Sequence, residues 1–517
     1  MRPNHRVHGE LRMNNDSTSG SSGGVSYKQV GADYFQKRGL RRYAKVWSLW
    51  ALGVGAVISG HYSGWNFGLA NGFGSMLVAL FIIAAMYWGL IFSLAEMSPA
   101  LPHTGAAYSF ARSAMGPWGG MFTGLAESIE YILTPAVIVY FIGSYLGAIF
   151  ETGPQLQPVW WLVSYIVFLA LNLVGVELSF RVSVFVTVAA LLILAVFWVS
   201  ALPAVDFNHW ALNVGVGPDG AKVELPDGGG SWFPFGWKGV LATLPFAVWL
   251  FLAIEQLPLA AEESADPKKD MPKGLILGMA TLMVSALLIT FLNSSIGKAD
   301  GMHGSFTLST SGEPLLDGFR VLYGTGAAKT LALLATIGLI ASFHTIIYAY
   351  GRQIYSLARA GYYLPFMSLT NAKKIPHMAL YAGTLLGFAT MMILWFVLGS
   401  EKGGAIIGST LLNMAVFGAM ISYAMQGLSF IVLRSKMPNI VRPYRSPLGN
   451  FGAFVTIVVA LVTLWYQLQD PVYRVAVYYV AGFYVLGILY FAIYGRNQLI
   501  LSPEEEFAMS KGEKGHA

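Results

Sequence analysis

Gly53-Val54-Gly55-Ala56-Val57-Ile58-Ser59-Gly60-His61-Tyr62-Ser63-Gly64 sits inside the first long apolar run of the chain, residues 46–70. Four glycines and two serines in twelve residues, with a histidine, are poor material for a continuous lipid-facing helix. The run is long enough to cross about 30 Å of hydrocarbon. The stretch therefore predicts a membrane helix interrupted near its middle. Packing of small residues against another helix would explain glycines equally well, so a second interruption is needed to decide.

The sixth long run, 239–261, supplies one. It carries Pro245 and a polar or aromatic stretch from Trp249 to Gln256. Interrupted helices in corresponding halves of a chain are the best sequence pointer to a transporter's binding site. Twelve such runs occur, near 46–70, 74–96, 117–150, 157–176, 182–204, 239–261, 274–297, 327–351, 377–400, 403–433, 447–469 and 473–495. With 55% hydrophobic and 11% charged residues, this is a polytopic membrane protein. An even number of spans puts both termini on one side. Placing them in the cytoplasm gives the inner segments 25 of the 32 Lys and Arg, as the positive-inside rule expects. That asymmetry accounts for the net charge of +6 without a nucleic-acid partner. The absence of cysteine excludes disulfides and thiolate metal sites. No HxxxH or HExxH motif occurs, and no metal or cofactor is expected.

The third run holds two acids, Glu127 and Glu130. A charge at the bilayer centre costs roughly 2.5–3.5 kcal/mol on insertion scales and usually marks a substrate or ion pathway. No Lys or Arg lies deep within another span to neutralise them; Lys329 and Arg474 stand only at the outer ends of theirs. Either they are protonated or their counter-ion arrives as substrate. Ser59 and Glu130 each lie 13 residues from the cytoplasmic ends of their spans, roughly 20 Å at 1.5 Å per residue. Trp249–Ala253 falls in the same layer, and Glu255 about one turn nearer the cytoplasm.

Residues 1–45 read as a cytoplasmic tail, disordered over 1–27 because its Asn, Ser and Gly composition cannot bury a core. A basic approach over 28–45 reads as a membrane anchor in preference to a regulatory lipid sensor. An outer loop, 205–238, is placed over the extracellular mouth; a second, 298–326, contains the helix-like stretch Glu313–Leu322. Residues 496–517 form a cytoplasmic C-terminal tail.

Three stretches resemble the amino acid–polyamine–organocation superfamily of secondary transporters. They are Ala95-Glu96-Met97-Ser98-Pro99-Ala100-Leu101-Pro102-His103-Thr104-Gly105-Ala106-Ala107-Tyr108, then Ala261-Glu262-Glu263-Ser264-Ala265-Asp266-Pro267-Lys268-Lys269-Asp270-Met271-Pro272-Lys273, then Gly351-Arg352-Gln353-Ile354-Tyr355-Ser356-Leu357-Ala358-Arg359-Ala360-Gly361. The resemblance covers 45 to about 435 well and the last two spans weakly. It implies an all-α protein of twelve transmembrane helices. These form a LeuT-type five-plus-five inverted repeat, 46–204 and 239–433, with two added helices at 447–495.

Within that superfamily the chain is most similar to the ethanolamine permeases. Ile58–Gly68, Ile129-Glu130-Tyr131 with Pro135-Ala136, and Pro245–Glu255 resemble their first, third and sixth spans. Glu130 and Glu255 match acidic positions of that pattern; Glu127 does not. The turn of amino-acid carriers that holds the substrate carboxylate reads Ser59-Gly60-His61-Tyr62 here, and the usual glycine of the sixth-span break is Ala253. Ala190 stands where many proton-coupled members carry a lysine.

Ethanolamine is a cation without a carboxylate. Glu130 is the candidate for its charge partner, with Ser59 and Gly60 at the unwound backbone. Trp249, Tyr62, Tyr131 and Phe251 are candidates for the wall, and His61, Ser342 or His344 for the hydroxyl. Glu255 is either a ligand or a structural or proton-sensing acid below the site, and Glu130, Glu255 and Glu127 are the proton-coupling candidates. The expectation is a carrier for a small cationic molecule in the bilayer of a bacterial cytoplasmic membrane. Amino acid or polyamine transport is the alternative within the class. An enzyme is excluded because no nucleophile–base pair, metal motif or phosphate loop lies at matched depth. A channel is disfavoured by the paired interruptions.

Overall fold

In the computed structural model, residues 21–22, 24–103, 105–298, 303–398, 404–469, 474–501, 506–507 and 510 are described. Among the described residues, eleven helices are long and apolar enough to span a membrane. The first span falls short only because it is broken: Val46–Val57 is helical, Ser59–Tyr62 forms one further turn, and Trp65–Asn71 continues as 3₁₀ helix. Between them Ser63 is extended and Gly64 takes φ +94°. Each of the twelve apolar runs thus meets its own helix.

The sixth span breaks as well. Gly236–Trp249 is helical, the chain turns through Leu250–Ala253, and Ile254–Glu263 resumes as 3₁₀ helix. Ala253 has φ +83°, a left-handed conformation that disfavours a residue with a Cβ. The two broken helices touch at their interruptions. A methyl group on Gly60 would lie 2.3 Å from the Trp249 carbonyl oxygen, so only glycine admits this approach.

Two helices run past the membrane. The third element, Ala106–Phe150, bends at Gly116 (φ +80°), so that 106–115 lies as a separate arm and 117–150 crosses. The eighth, Pro314–Arg359, bends at Gly324 (φ +76°) and starts with an outer arm where the sequence reads as helix-like. The third span packs chiefly on the tenth (Gly404–Lys436) and the eighth. Both broken helices lie against the second (Phe73–Ala100), seventh (Pro267–Ser294) and eighth spans.

The loop 205–238 folds a hairpin, Val214–Val216 with Lys222–Glu224, and places Phe207 against Phe73 and Phe291 at ring separations of 5.0 and 5.6 Å. The loop before the eighth span is pinned to the first: Asn66 Nδ2 donates to the carbonyls of Leu308 and Ser311 at 2.6 and 2.9 Å.

The N-terminal tail departs from expectation. Residues 1–20 and 23 lie outside the described residues, but Val25–Lys28 is a strand. It pairs antiparallel with Ser21–Ser22 and parallel with Leu499–Ile500 of the C-terminal tail. Its partner lies more than 470 residues away, so no local pattern announces it.

Candidate functional site

Two carboxyl groups meet where the third span passes the break of the sixth. Glu130 and Glu255 are both buried and lie within electrostatic reach of each other. Glu130 Oε1 also accepts from the Tyr423 hydroxyl at 3.0 Å, and Tyr423 in turn receives the Tyr87 hydroxyl at 3.1 Å. Glu255 Oε2 accepts the Ala253 amide at 3.0 Å, which holds the left-handed turn in place. Glu130 Oε2 and Glu255 Oε1 have no hydrogen-bond partner. Among the described residues, the buried ion pairs involve other acids: Glu263 with Arg352, and Glu96 with Arg434 and Arg442. No Lys or Arg among them is paired with Glu130, Glu255 or Glu127.

Aromatic rings enclose this pair. Phe251, in the sixth-span turn, lies 5.4 Å from Tyr87 between ring centroids. Tyr131 is buried beside Glu130 and within electrostatic reach of Glu255. Trp249 closes the first-span break, its indole N–H donating to the Ser63 carbonyl at 3.0 Å.

The first-span break is stitched by its neighbours. Ser342 Oγ accepts the Ser59 amide at 2.8 Å and donates to the Gly55 carbonyl at 2.7 Å. The amides of His61 and Ser63 reach Ile58 and Ser59 carbonyls at 3.0 Å each, and the Gly64 amide reaches Asn66 Oδ1 at 2.9 Å. These four donors are all satisfied within the chain.

Several residues singled out by sequence lie elsewhere. His61 turns away: Nδ1 meets Ser285 Oγ at 2.5 Å and Nε2 meets the Leu250 carbonyl at 2.9 Å. With both ring nitrogens engaged, it ties the two broken helices to the seventh span and has none left for a substrate hydroxyl. His344 bonds Asn172 and Ser179, both at 3.1 Å, and is likewise filled. The Tyr62 hydroxyl donates to the Ala190 carbonyl at 2.7 Å, so that ring braces the first span on the fifth. Glu127 accepts the Tyr108 amide at 3.0 Å and anchors the start of the arm 106–115.

Sequence reasoning missed Tyr87 and Tyr423, because a tyrosine in an apolar run carries no pattern of its own. It also missed the closure of the tail-bearing face. Glu263 and Arg352 are bidentate there at 2.9 and 3.2 Å, Tyr348 donates to Glu263, and Arg359 pairs with Glu262 at 2.6 Å. The acids follow the sixth span and the arginines end the eighth, so two of the three quoted stretches meet here.

Comparison with known proteins agrees with this architecture. The amino acid permease family model matches residues 45–491. An uncharacterised transporter of Rhizobium meliloti is 27% identical over 79% of this chain and 83% of its own. The methylthioribose transporter of Bacillus subtilis is 24% identical over 90% and 96%. L-asparagine permease 1 of Mycobacterium tuberculosis is 24% identical over 86% and 88%. With twelve helices, two of them broken side by side, and a match across nearly the whole membrane domain, this chain is a multi-pass membrane transporter that belongs to the amino acid permease family.

Proposed function

We propose that the chain imports ethanolamine, or a closely related amino-alcohol cation, by alternating access. The observation that carries this reading is the buried Glu130–Glu255 pair without a basic partner among the described residues. An ammonium group brings three donors and one positive charge to the acceptors left open on those carboxyls. A charge-assisted bond of this kind is about twice as strong as a neutral one. Tyr131 and Phe251 add cation–π attraction of about 0.5–2 kcal/mol. Tyr423 and Tyr131 stand beside the pair as partners for the substrate hydroxyl.

The satisfied amides of Ser59, His61, Ser63 and Gly64 support a substrate lacking a carboxylate, since a carboxylate would find those donors taken. The asparagine permease among the relatives favours a second reading, an amino acid substrate. The membrane potential suffices to drive the cation inward: about 2.3 kcal/mol per 100 mV gives roughly fifty-fold accumulation. Proton symport through Glu130 or Glu255 is compatible with the same pair of acids. The excess of basic residues on the tail-bearing side supports a bacterial cytoplasmic membrane location with both termini inside.

The test is thermal stabilisation of the purified protein across ethanolamine, diamines and amino acids, because a ligand that binds the native state raises its stability. Uptake into proteoliposomes runs alongside. Stabilisation by ethanolamine with none by amino acids is expected; the reverse pattern rejects the substrate.

A further inference from the structure

The segment before the first span crosses the tail-bearing face as a strap. Tyr34 donates to the Arg359 carbonyl at 2.9 Å, and Arg38 reaches Ser368 Oγ at 2.7 Å. Tyr355 donates to the Arg38 carbonyl. The amides of Tyr43 and Ala44 then both donate to the Glu263 carbonyl, at 2.7 and 2.9 Å, and the Ala265 amide returns to Ala44 at 2.8 Å. The strap thus ends on the acid whose carboxylate holds Arg352.

This backbone bridge sets two basic segments side by side. One carries Arg41, Arg42 and Lys45; the other carries Lys268, Lys269 and Lys273, and all six are exposed. The acids of these segments beyond Glu263 are Asp266 and Asp270, and Asp266 lies 3.6 Å from Lys269. Glu262 and Glu263 are already engaged by Arg359 and Arg352. The nearby Arg181 pairs with Glu177 and Tyr43.

A second observation fixes the depth of this corner. Trp47, 67% exposed, projects immediately after Lys45. Its neighbour Trp50, 5.8 Å away between rings, is pinned by its indole N–H to Thr281 of the seventh span at 3.1 Å. An exposed tryptophan at the end of a span marks the level of the lipid headgroups. A plain anchoring charge excess needs no convergence of segments more than 200 residues apart, whereas a headgroup site does.

We propose that this corner binds the headgroup of an anionic phospholipid, and that a lipid seated there holds the strap against Glu263 and favours the closed form of this face. Each basic residue near an anionic surface strengthens association about five-fold, so three together contribute on the order of 100-fold.

The test uses the full chain in nanodiscs of phosphatidylcholine alone or containing phosphatidylglycerol. Two readouts apply: the melting midpoint, and maleimide labelling of a Ser356→Cys chain, which the absence of native cysteine makes specific. Ser356 is 2% exposed beside Tyr108, so labelling reports opening of the face. Phosphatidylglycerol should raise the midpoint and slow labelling. Arg41→Gln/Arg42→Gln/Lys45→Gln should abolish both responses while matching the parent chain in phosphatidylcholine, and Lys373→Gln/Lys374→Gln should preserve them. Should the triple variant not fold, Lys268→Gln/Lys273→Gln takes its place. An unchanged phosphatidylglycerol response in the substituted chain overturns the site. An equal effect of soluble glycerophosphate also overturns it, because a headgroup held in the membrane is then not required.

Discussion

Ser342 and Ser59 share a hydrogen bond that replaces a turn of helix. The Ser342 hydroxyl stands between the Ser59 amide and the Gly55 carbonyl, the two groups a continuous helix would join to each other. The eighth span therefore keeps the first one open. Ser342→Ala leaves both buried groups without that partner, and an unsatisfied buried group costs about 1–3 kcal/mol. A lower melting midpoint of the purified protein is expected. An unchanged midpoint would show that the first span reseals its own helical bond.

Glu130 and Glu127 lie three residues apart and should respond differently. In Glu130→Gln the side-chain amide keeps the Tyr423 bond and can donate to Glu255, so the fold persists. It loses the group that carries charge, and a charged hydrogen bond contributes about 2 kcal/mol, or roughly 30-fold. Ethanolamine uptake should fall at least that far with the melting midpoint retained. Glu127→Gln weakens the hydrogen bond that the side chain accepts from the Tyr108 amide, which contributes about 0.5–1.5 kcal/mol. It should lower the midpoint and leave the substrate KM unchanged. Proteoliposome uptake paired with melting curves separates the two.

His344 is placed as a brace between the eighth span and the fourth and fifth. His344→Ala leaves Asn172 and Ser179 short of a partner, at about 1–3 kcal/mol. Substrate concentration dependence of uptake should show an unaltered KM in a less stable protein. A raised KM would return this residue to the binding site.

The outer arm of the eighth helix responds to pH. Burial, reinforced by Asp317 and opposed by Arg320, pushes the Glu313 carboxyl up to about 7. An unfolded Glu titrates near 4.3, so the folded chain holds this proton more tightly. The resulting stability is greatest below the unfolded value and is lost as pH rises through about 7. Burial drives His303 down to about 4, so its contribution is lost instead as pH falls below the usual histidine range. Comparison with Glu313→Gln isolates the carboxyl. The parent chain should lose about 2–3 kcal/mol relative to this variant between about pH 5 and pH 8, read from melting midpoints. A pH-independent difference would contradict it.

The interruptions were legible because glycine, serine and proline in an apolar run conflict with helix on local grounds. Gly53–Gly64 and Pro245–Gln256 therefore marked both broken spans before any contact was known. Glu130 was legible as a charge without a mate, and Glu255 through its matching position in the sixth span. Their tyrosine partners were not, since Tyr423 stands 293 residues from Glu130 and only packing of the third span on the tenth brings them together. His61 reads as a candidate ligand because a histidine in a span is conspicuous, whereas His344 reads more often as a packing residue. Which way a ring faces is set by neighbours on other helices, here Ser285 and Asn172. The strand Val25–Lys28 was illegible for the same reason, its partner being the far end of the chain.

Ala253 makes the bend in the sixth helix a loaded spring. Its methyl group sits in a conformation that penalises L residues by roughly 1–2 kcal/mol. The catch on that spring is the carboxylate two residues further on. If the proposed cation draws Glu255 off the amide, it would release the catch and favour recoil at the same stroke, gearing occupancy to shape change through adjacent backbone atoms.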